Sequence, residues 1–259
     1  IKKSGPNLIS PTKTIAGLKS INPYFFTLAN NHILDQGEQG LNSTMSLLDK
    51  YGIDYAGAGK DLEEAARPYI LERDGKKIGI YCCAEHEFTI ATETTSGANP
   101  FDPLNSLDHI FKLKKKCDYV IVLYHGGKEY YRYPSPYLQK VCRKIIDKGA
   151  DIVVCQHSHC IGCEEKWHGG TIVYGQGNFL FDADNNEYWN TSLLLEIKLN
   201  DELNVNFIPI CKNRNGVRLA DEKETELIMT QFYKRSSDIL CENFVQDNYS
   251  KFAESMSIE

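Results

Sequence analysis

The chain of 259 residues is long enough to bury one sizeable core, or one core with a small appendage. Apolar residues make up 42% and charged ones 25%, the usual mix for a globular protein, and the net charge of −6 argues against nucleic acid as a partner. No run approaches the roughly 18 to 20 uninterrupted apolar residues that would cross a bilayer; the longest, Tyr119–Tyr124 and Ile152–Cys155, have strand length.

In chain order, the pattern alternates strand and helix, the mark of a largely parallel α/β core. A strand is predicted at Tyr24–Ala29, then a helix over Glu38–Tyr51 with Leu41, Met45 and Leu48 on one face. Gly52 closes that helix, and Ile53–Ala56 reads as a short strand. Strands at Tyr69–Arg73 and Lys77–Ala84 meet at Asp74-Gly75, a type I′ hairpin signal. Glu85–Pro103 is polar and irregular, a candidate loop over a site. Leu107–Lys116 is helical, and its basic residues Lys112, Lys114, Lys115 and Lys116 gather at the end where cations suit the helix dipole. Asp118–Tyr124 and Ala150–Cys155 are continuous apolar strands of the kind buried on both faces. Between them Pro136–Lys148 forms an amphipathic helix with Leu138, Val141, Cys142, Ile145 and Ile146 inward. Strands follow at Thr171–Tyr174, Ser192–Leu199 and Leu203–Ile210, the last two an antiparallel pair turned at Asn200–Glu202. From about Asp221 a charged helical tail carries Leu227, Ile228, Phe232, Ile239 and Leu240 toward the core.

Nine cysteines is a high and odd number. Cys82, Cys83, Cys142, Cys155 and Cys211 fall in apolar segments, where free thiols behave as small hydrophobes, so a reducing compartment, the cytosol, is expected. Cys160 and Cys163 lack the second ligand pair of a zinc knuckle and the following helix of a redox motif, and Trp167-His168-Gly-Gly reads as a hairpin turn.

Three strands end alike. Tyr24–Ala29 runs into Asn30-Asn31-His32, Asp118–Tyr124 into His125-Gly126-Gly127, and Ala150–Cys155 into Gln156-His157-Ser158-His159. Ligands of open α/β sheets bind at the carboxyl ends of strands, and imidazole suits Zn, Mn and Fe. Taken singly, each histidine reads as a hydrogen-bonded structural residue; the agreement of three strand ends points to a shared metal or catalytic site.

The run Ala29-Asn-Asn-His32-x-x-Asp35-x-Gly37-x-x-Gly40-Leu41-x-x-Thr44 resembles the CapA, or poly-γ-glutamate capsule-synthesis, family. So do Tyr55-Ala-Gly-Ala-Gly59, His125-Gly-Gly-Lys-Glu129-Tyr130, Gly149-Ala-Asp-Ile-Val-Val, His157-Ser-His159 and Tyr174-Gly-Gln-Gly-Asn178-Phe-Leu-Phe-Asp182, in family order from about Gly5 to Cys211. That family is similar to calcineurin-like metallophosphoesterases, which implies a four-layer α/β/β/α sandwich holding two divalent ions (Mn, Fe or Zn). The resemblance implies that Asn31, His125 and His157 bind one metal and His159 the other. It implies that His32 protonates the leaving oxygen and that Asp35 orients it, with Glu129 and Asn178 as pocket residues that contact substrate.

The family also has a strand bearing Gly-Asp and another ending in Asn-Leu-Glu, which supply acidic metal ligands; neither motif occurs here. The chain begins at Ile1-Lys-Lys-Ser-Gly-Pro-Asn-Leu, which reads as the segment after the second of those strands. The expectation is therefore a core over residues 1–212 without its first strands and a helical tail over 213–259. The resemblance implies a phosphoesterase acting in capsule or poly-γ-glutamate production on a phosphoester or an anionic polymer. Two other readings stay open: a non-catalytic polymer assembly or binding factor, and a single-zinc hydrolase built on His125, His157 and His159. Localisation is expected to be cytoplasmic, or extracytoplasmic and membrane-anchored if an N-terminal anchor has been removed. The oligomeric state is left open.

Overall fold

The protein is described from a computed structural model covering residues 5–85, 89–181, 187–199, 203–214 and 216–256. The chain divides into two compact units, Ile1–His125 and Gly126–Glu259.

In the first unit a 3₁₀ turn at Thr12–Thr14 leads into α1 (Ile15–Lys19). Then β1 (Phe25–Thr27), α2 (Gly37–Tyr51) and β2 (Asp54–Ala56) form a strand–helix–strand unit, with β1 and β2 parallel and Phe25 opposite Asp54. The expected strand Tyr24–Ala29 is three residues long, although Leu28 N still donates to the Ala56 carbonyl at 2.8 Å, and the helix starts one residue earlier than expected. Leu41 and Leu48 of α2 pack with Ile15, Leu28 and Ile53, while Met45 is only partly buried. Gly52 ends α2 in the left-handed region (φ 64°), where a side chain would be strained.

Next come β3 (Ala58–Gly59) and α3 (Leu62–Ala65), the latter capped by Asp61, which accepts the Glu64 N–H at 2.8 Å. The hairpin of β4 (Tyr69–Arg73) and β5 (Lys76–Ala84) turns at Asp74 (φ 51°) and Gly75 (φ 72°), as the sequence predicts. β6 (Gly97–Ala98) pairs with β3, α4 spans Ser106–Lys114, and β7 (Tyr119–Gly126) runs parallel to β5 with Ala84 opposite His125. Val120, Val122, Tyr124, Cys82 and Cys83 are buried along these two strands. Part of the expected loop Glu85–Pro103, residues 86–88, lies outside the described residues. The remainder is pinned to the strands: Asn99 Nδ2 donates to the Cys82 carbonyl at 2.7 Å, and Ala91 N donates to the Ala98 carbonyl at 2.7 Å.

In the second unit α5 (Pro136–Asp147) opens with Pro136 at its first position and Ser135 as cap, whose hydroxyl accepts the Leu138 N–H at 3.1 Å. All five residues expected to face inward are buried. β8 (Ile152–His157), β9 (Glu164–Trp167) and β10 (Gly170–Val173) follow; β10 runs parallel to β8 and antiparallel to β9. The hairpin between β9 and β10 turns at His168 and Gly169, both at positive φ, as Trp167-His168-Gly-Gly suggests.

A short α6 (Glu187–Asn190) precedes the antiparallel pair β11 (Thr191–Leu199) and β12 (Leu203–Asn213), extended by β13 (Gly216–Leu219). The turn expected at Asn200–Glu202 lies outside the described residues. The chain ends in α7 (Glu222–Asp238) and α8 (Phe244–Met256). Asp221 and Glu224 form a capping box on α7, and Ile228 and Phe232 pack with Ile161, Leu193 and Cys211. Of the tail residues expected to point inward, Ile228, Phe232 and Ile239 do; Leu227 and Leu240 are exposed. On α8, Tyr249 and Phe252 pack on Tyr131, with ring centroids 5.6 and 4.5 Å away. Among the described residues the nine cysteines are thiols outside any disulfide, all buried except Cys241. Among the described residues no helix is long and apolar enough to cross a membrane.

Candidate functional site

The candidate residues of the first unit gather behind β1 and β7. The Asn30 carbonyl oxygen of the side chain accepts the His32 N–H at 2.9 Å, a local turn that lets the chain leave β1 sharply. The Asn30 amide also donates to the Leu28 carbonyl at 3.2 Å. His32 Nδ1 then lies 2.7 Å from Asp35 Oδ2, and the same oxygen accepts the Leu8 N–H at 2.6 Å. A carboxylate oxygen only accepts, so Nδ1 carries a proton and the ring is held through that nitrogen. The Asp35 side chain is 2% exposed against 29% for His32, which puts the carboxylate behind the imidazole.

Asn31 Oδ1 stands 3.1 Å from His125 Nε2. Two donors each about 2.1 Å from one ion, at roughly a right angle, lie about 3 Å apart. The pair therefore fits the chemistry and spacing of two ligands to one divalent cation. Beside it, the Tyr124 hydroxyl donates to Glu85 Oε1 at 3.3 Å, and Glu85 N donates to the His125 carbonyl at 2.9 Å.

In the second unit His157 and His159 stand just beyond the buried part of β8, ring centroids 6.2 Å apart. His159 Nδ1 lies 2.8 Å from Asn178 Oδ1, while Asn178 Nδ2 donates to the carbonyls of His159 at 3.2 Å and Tyr188 at 3.4 Å. Those carbonyl contacts fix which way the amide points. They make Nδ1 the protonated nitrogen of His159 and leave the lone pair on Nε2, the tautomer a metal ligand needs. Glu129 Oε1 is 3.8 Å from His157 Nε2, an ion-pair distance beyond hydrogen-bond reach.

Strain marks the same place. His157 (φ 95°), His159 (φ 57°) and Tyr130 (φ 60°) lie in the left-handed region, at about 1–3 kcal/mol each. A sequence offers no warning of this, since Gly and Asn are the residues that ordinarily adopt such angles. The rings around His159 were also not foreseen: Trp189 stacks on it at 4.9 Å, Phe181 meets it edge-on at 5.0 Å, and Tyr130 lies at 6.0 Å.

Among the described residues no group of three or more His, Cys, Asp or Glu side chains stands close enough to hold a metal ion. Cys160 and Cys163 are buried, and burial pushes both thiols up from their ordinary range, which suits inert core residues better than thiolate ligands.

Residues 1–183 match the family model described as bacterial capsule synthesis protein PGA_cap. The chain belongs to that family. It is 33% identical over 177 residues to the PGA biosynthesis protein CapA of Bacillus subtilis, covering 66% of this chain and 46% of that protein. With the capsule biosynthesis protein CapA of Bacillus anthracis it shares 31% identity over 182 residues, covering 68% and 44%. The PGA_cap chain thus spans less than half the length of these curated relatives. Among solved structures it is similar to a Staphylococcus aureus protein provisionally called a 5′-nucleotidase, with a TM-score of 0.55 and 14% identity over 86% of this chain and 44% of that one. The fold class is accordingly mixed α/β of the metallophosphoesterase type.

Proposed function

We propose that this chain supplies imidazole ligands and the proton donor of a metal-dependent phosphoesterase working in capsule or poly-γ-glutamate production. The observation that carries this reading is the His32–Asp35 contact of 2.7 Å beside an Asn31–His125 pair at ligand spacing. Asn31 and His125 of the first unit, and His157 and His159 of the second, would serve as ligands to divalent ions. When bound, two such ions supply a hydroxide at neutral pH and a clamp on the phosphoryl oxygens.

The chain's own part is orientation and proton transfer. Asp35 holds His32 through Nδ1, so the proton on Nε2 of the imidazolium is the one aimed outward and given to the departing alkoxide oxygen. Asn178 fixes the ring of His159, and Glu129 places a carboxylate near His157. Glu129 is half-exposed, so it is free to meet a substrate group.

The test uses the full-length protein, turning over an aryl phosphate with added Mn²⁺. His32→Ala should cost about 10²- to 10⁴-fold in kcat with metal content unchanged. His157→Ala should lose metal by elemental analysis. Absence of turnover by metal-loaded protein would overturn the catalytic reading. The second reading, an assembly or binding factor for an anionic polymer, would then stand; it is favoured by relatives whose names speak of biosynthesis, not hydrolysis.

A further inference from the structure

We propose that Tyr130, Phe181 and Trp189 form a subsite beside His159 for a planar aromatic group carried by the phosphoester; the proposal rests on the phosphoesterase reading above. The three rings come from three separate segments: the loop after β7, the stretch after β10, and α6. His159, Phe181 and Trp189 stand 4.9 to 5.0 Å from one another by ring centroids. Tyr130 closes the group 6.0 Å from both His159 and Trp189, nearly parallel to the imidazole at 27°. A proposed metal ligand is thus walled by aromatic faces and edges. A ligand held beside His159 would lie within reach of those rings.

Packing alone does not account for the arrangement. Tyr130 and Phe181 remain 42% and 41% exposed although each touches other rings. Rings placed only to fill a core are buried on both faces; these keep apolar surface in water that a stacked ligand ring would cover. Tyr130 also adopts φ 60°, a conformation costly for a bulky residue, and its N–H donates to the Ser158 carbonyl at 2.9 Å. The strain holds the phenol ring beside His159, where glycine would satisfy the backbone more cheaply. The three members carry no formal charge, so what they offer a ligand is flat, polarisable surface.

The experiment compares benzyl phosphate with cyclohexylmethyl phosphate on the Mn²⁺-loaded full-length protein. Both release a primary alkoxide of similar bulk, and they differ in planarity. The benzyl ester should have kcat/KM about 10-fold higher, the order of one ring stacked on aromatic side chains. Trp189→Leu and Tyr130→Leu should each bring the ratio toward one. In parallel, benzylphosphonate, which is not hydrolysed, should quench Trp189 fluorescence in a Trp167→Phe background and bind about 10-fold tighter than cyclohexylmethylphosphonate. Equal kcat/KM for the two esters, or equal binding of the two phosphonates, overturns the subsite while leaving the hydrolase intact. Preferential binding of benzylphosphonate with no turnover of either ester supports the subsite and overturns the hydrolase. A ratio that persists when both rings are replaced would overturn the assignment to Tyr130 and Trp189.

Discussion

His32 and Asp35 sit three residues apart, and their side chains meet at 2.7 Å with the carboxylate almost wholly inside and the imidazole partly out. This is the geometry that the proposed proton donor would need. The oxygen that holds His32 also accepts the Leu8 N–H, so the carboxylate is itself anchored and does not swing with the ring. Asp35→Asn keeps the volume and one acceptor oxygen but removes the carboxylate's charge, which weakens its hold on the His32 ring. The expected result is a fall in kcat of about 10- to 100-fold, typical of losing a partner that orients a reactive imidazole, with KM little changed. Asp35→Glu should recover part of the loss. Equal losses in kcat and in thermal stability for both variants would make the contact structural.

Asn178 does for His159 what Asp35 does for His32, through an amide instead of a carboxylate. Its oxygen takes the Nδ1 proton, and its nitrogen is committed to two carbonyls. Asn178→Ala should free the ring to rotate and to change tautomer. Metal affinity is expected to weaken by about 10- to 100-fold, read by metal titration of the full-length protein. Asn178→Asp, which retains the acceptor, should lose less. An unchanged affinity in the alanine variant would remove His159 from the ligand set.

Much of the fold was legible because its signals are local. The five inward residues of α5 follow helical spacing, the β4–β5 turn follows from Asp74-Gly75, and the end of α2 follows from Gly52. The pieces that escaped are held by contacts distant in sequence. The two-residue strands β3 and β6 exist because Asn99 N donates to the Gly57 carbonyl at 2.8 Å and Ala58 pairs with Ala98. Leu227 faces solvent because α7 turns Ile228 and Phe232 to the sheet, and Leu240, past the end of that helix, is exposed as well. In the site, the roles of His32 and Asp35 were implied by the family motif, and the two side chains meet within one turn of chain. The pairing of His159 with Asn178, nineteen residues on, was not foreseen, Asn178 being expected to contact substrate, and the left-handed angles at His157 and His159 leave no trace in composition.

Glu165 offers a test of stability away from the histidines. It is 2% exposed on β9, contacts Arg143 of α5 through two guanidinium nitrogens, and accepts the Tyr174 hydroxyl at 2.6 Å. The Arg143 guanidinium in turn lies 4.2 Å over the Trp167 ring. Removing one member of such a group strands the others: Glu165→Ala leaves a half-buried guanidinium and a buried phenol without their acceptor. Breaking a buried pair in this way costs about 3–5 kcal/mol, and the partial exposure of Arg143 places the expectation near the lower figure. Chemical denaturation should show a lower midpoint with unchanged slope. A loss below about 0.5 kcal/mol, the size of a surface ion pair, would mean that water replaces the carboxylate.

Phe232 decides what the C-terminal helices are worth. It is fully buried on α7, 4.7 Å from the Phe207 ring of β12, and packs with Leu193 and Cys211 of the same sheet. On the same helix Arg235 is buried and donates from Nε to the Gly162 carbonyl at 2.8 Å, so the helix is also tied to the loop before β9 by a polar contact. If α7 were a loosely docked tail, Phe232→Ala would release it and leave the main unfolding transition where it was. If α7 is part of the core of its unit, the substitution opens a cavity and costs about 3–5 kcal/mol in a single cooperative transition. The packing supports the second outcome. Its spectroscopic sign is one shifted transition in the far-ultraviolet circular dichroism; a separate early loss of helical signal would sink the assignment.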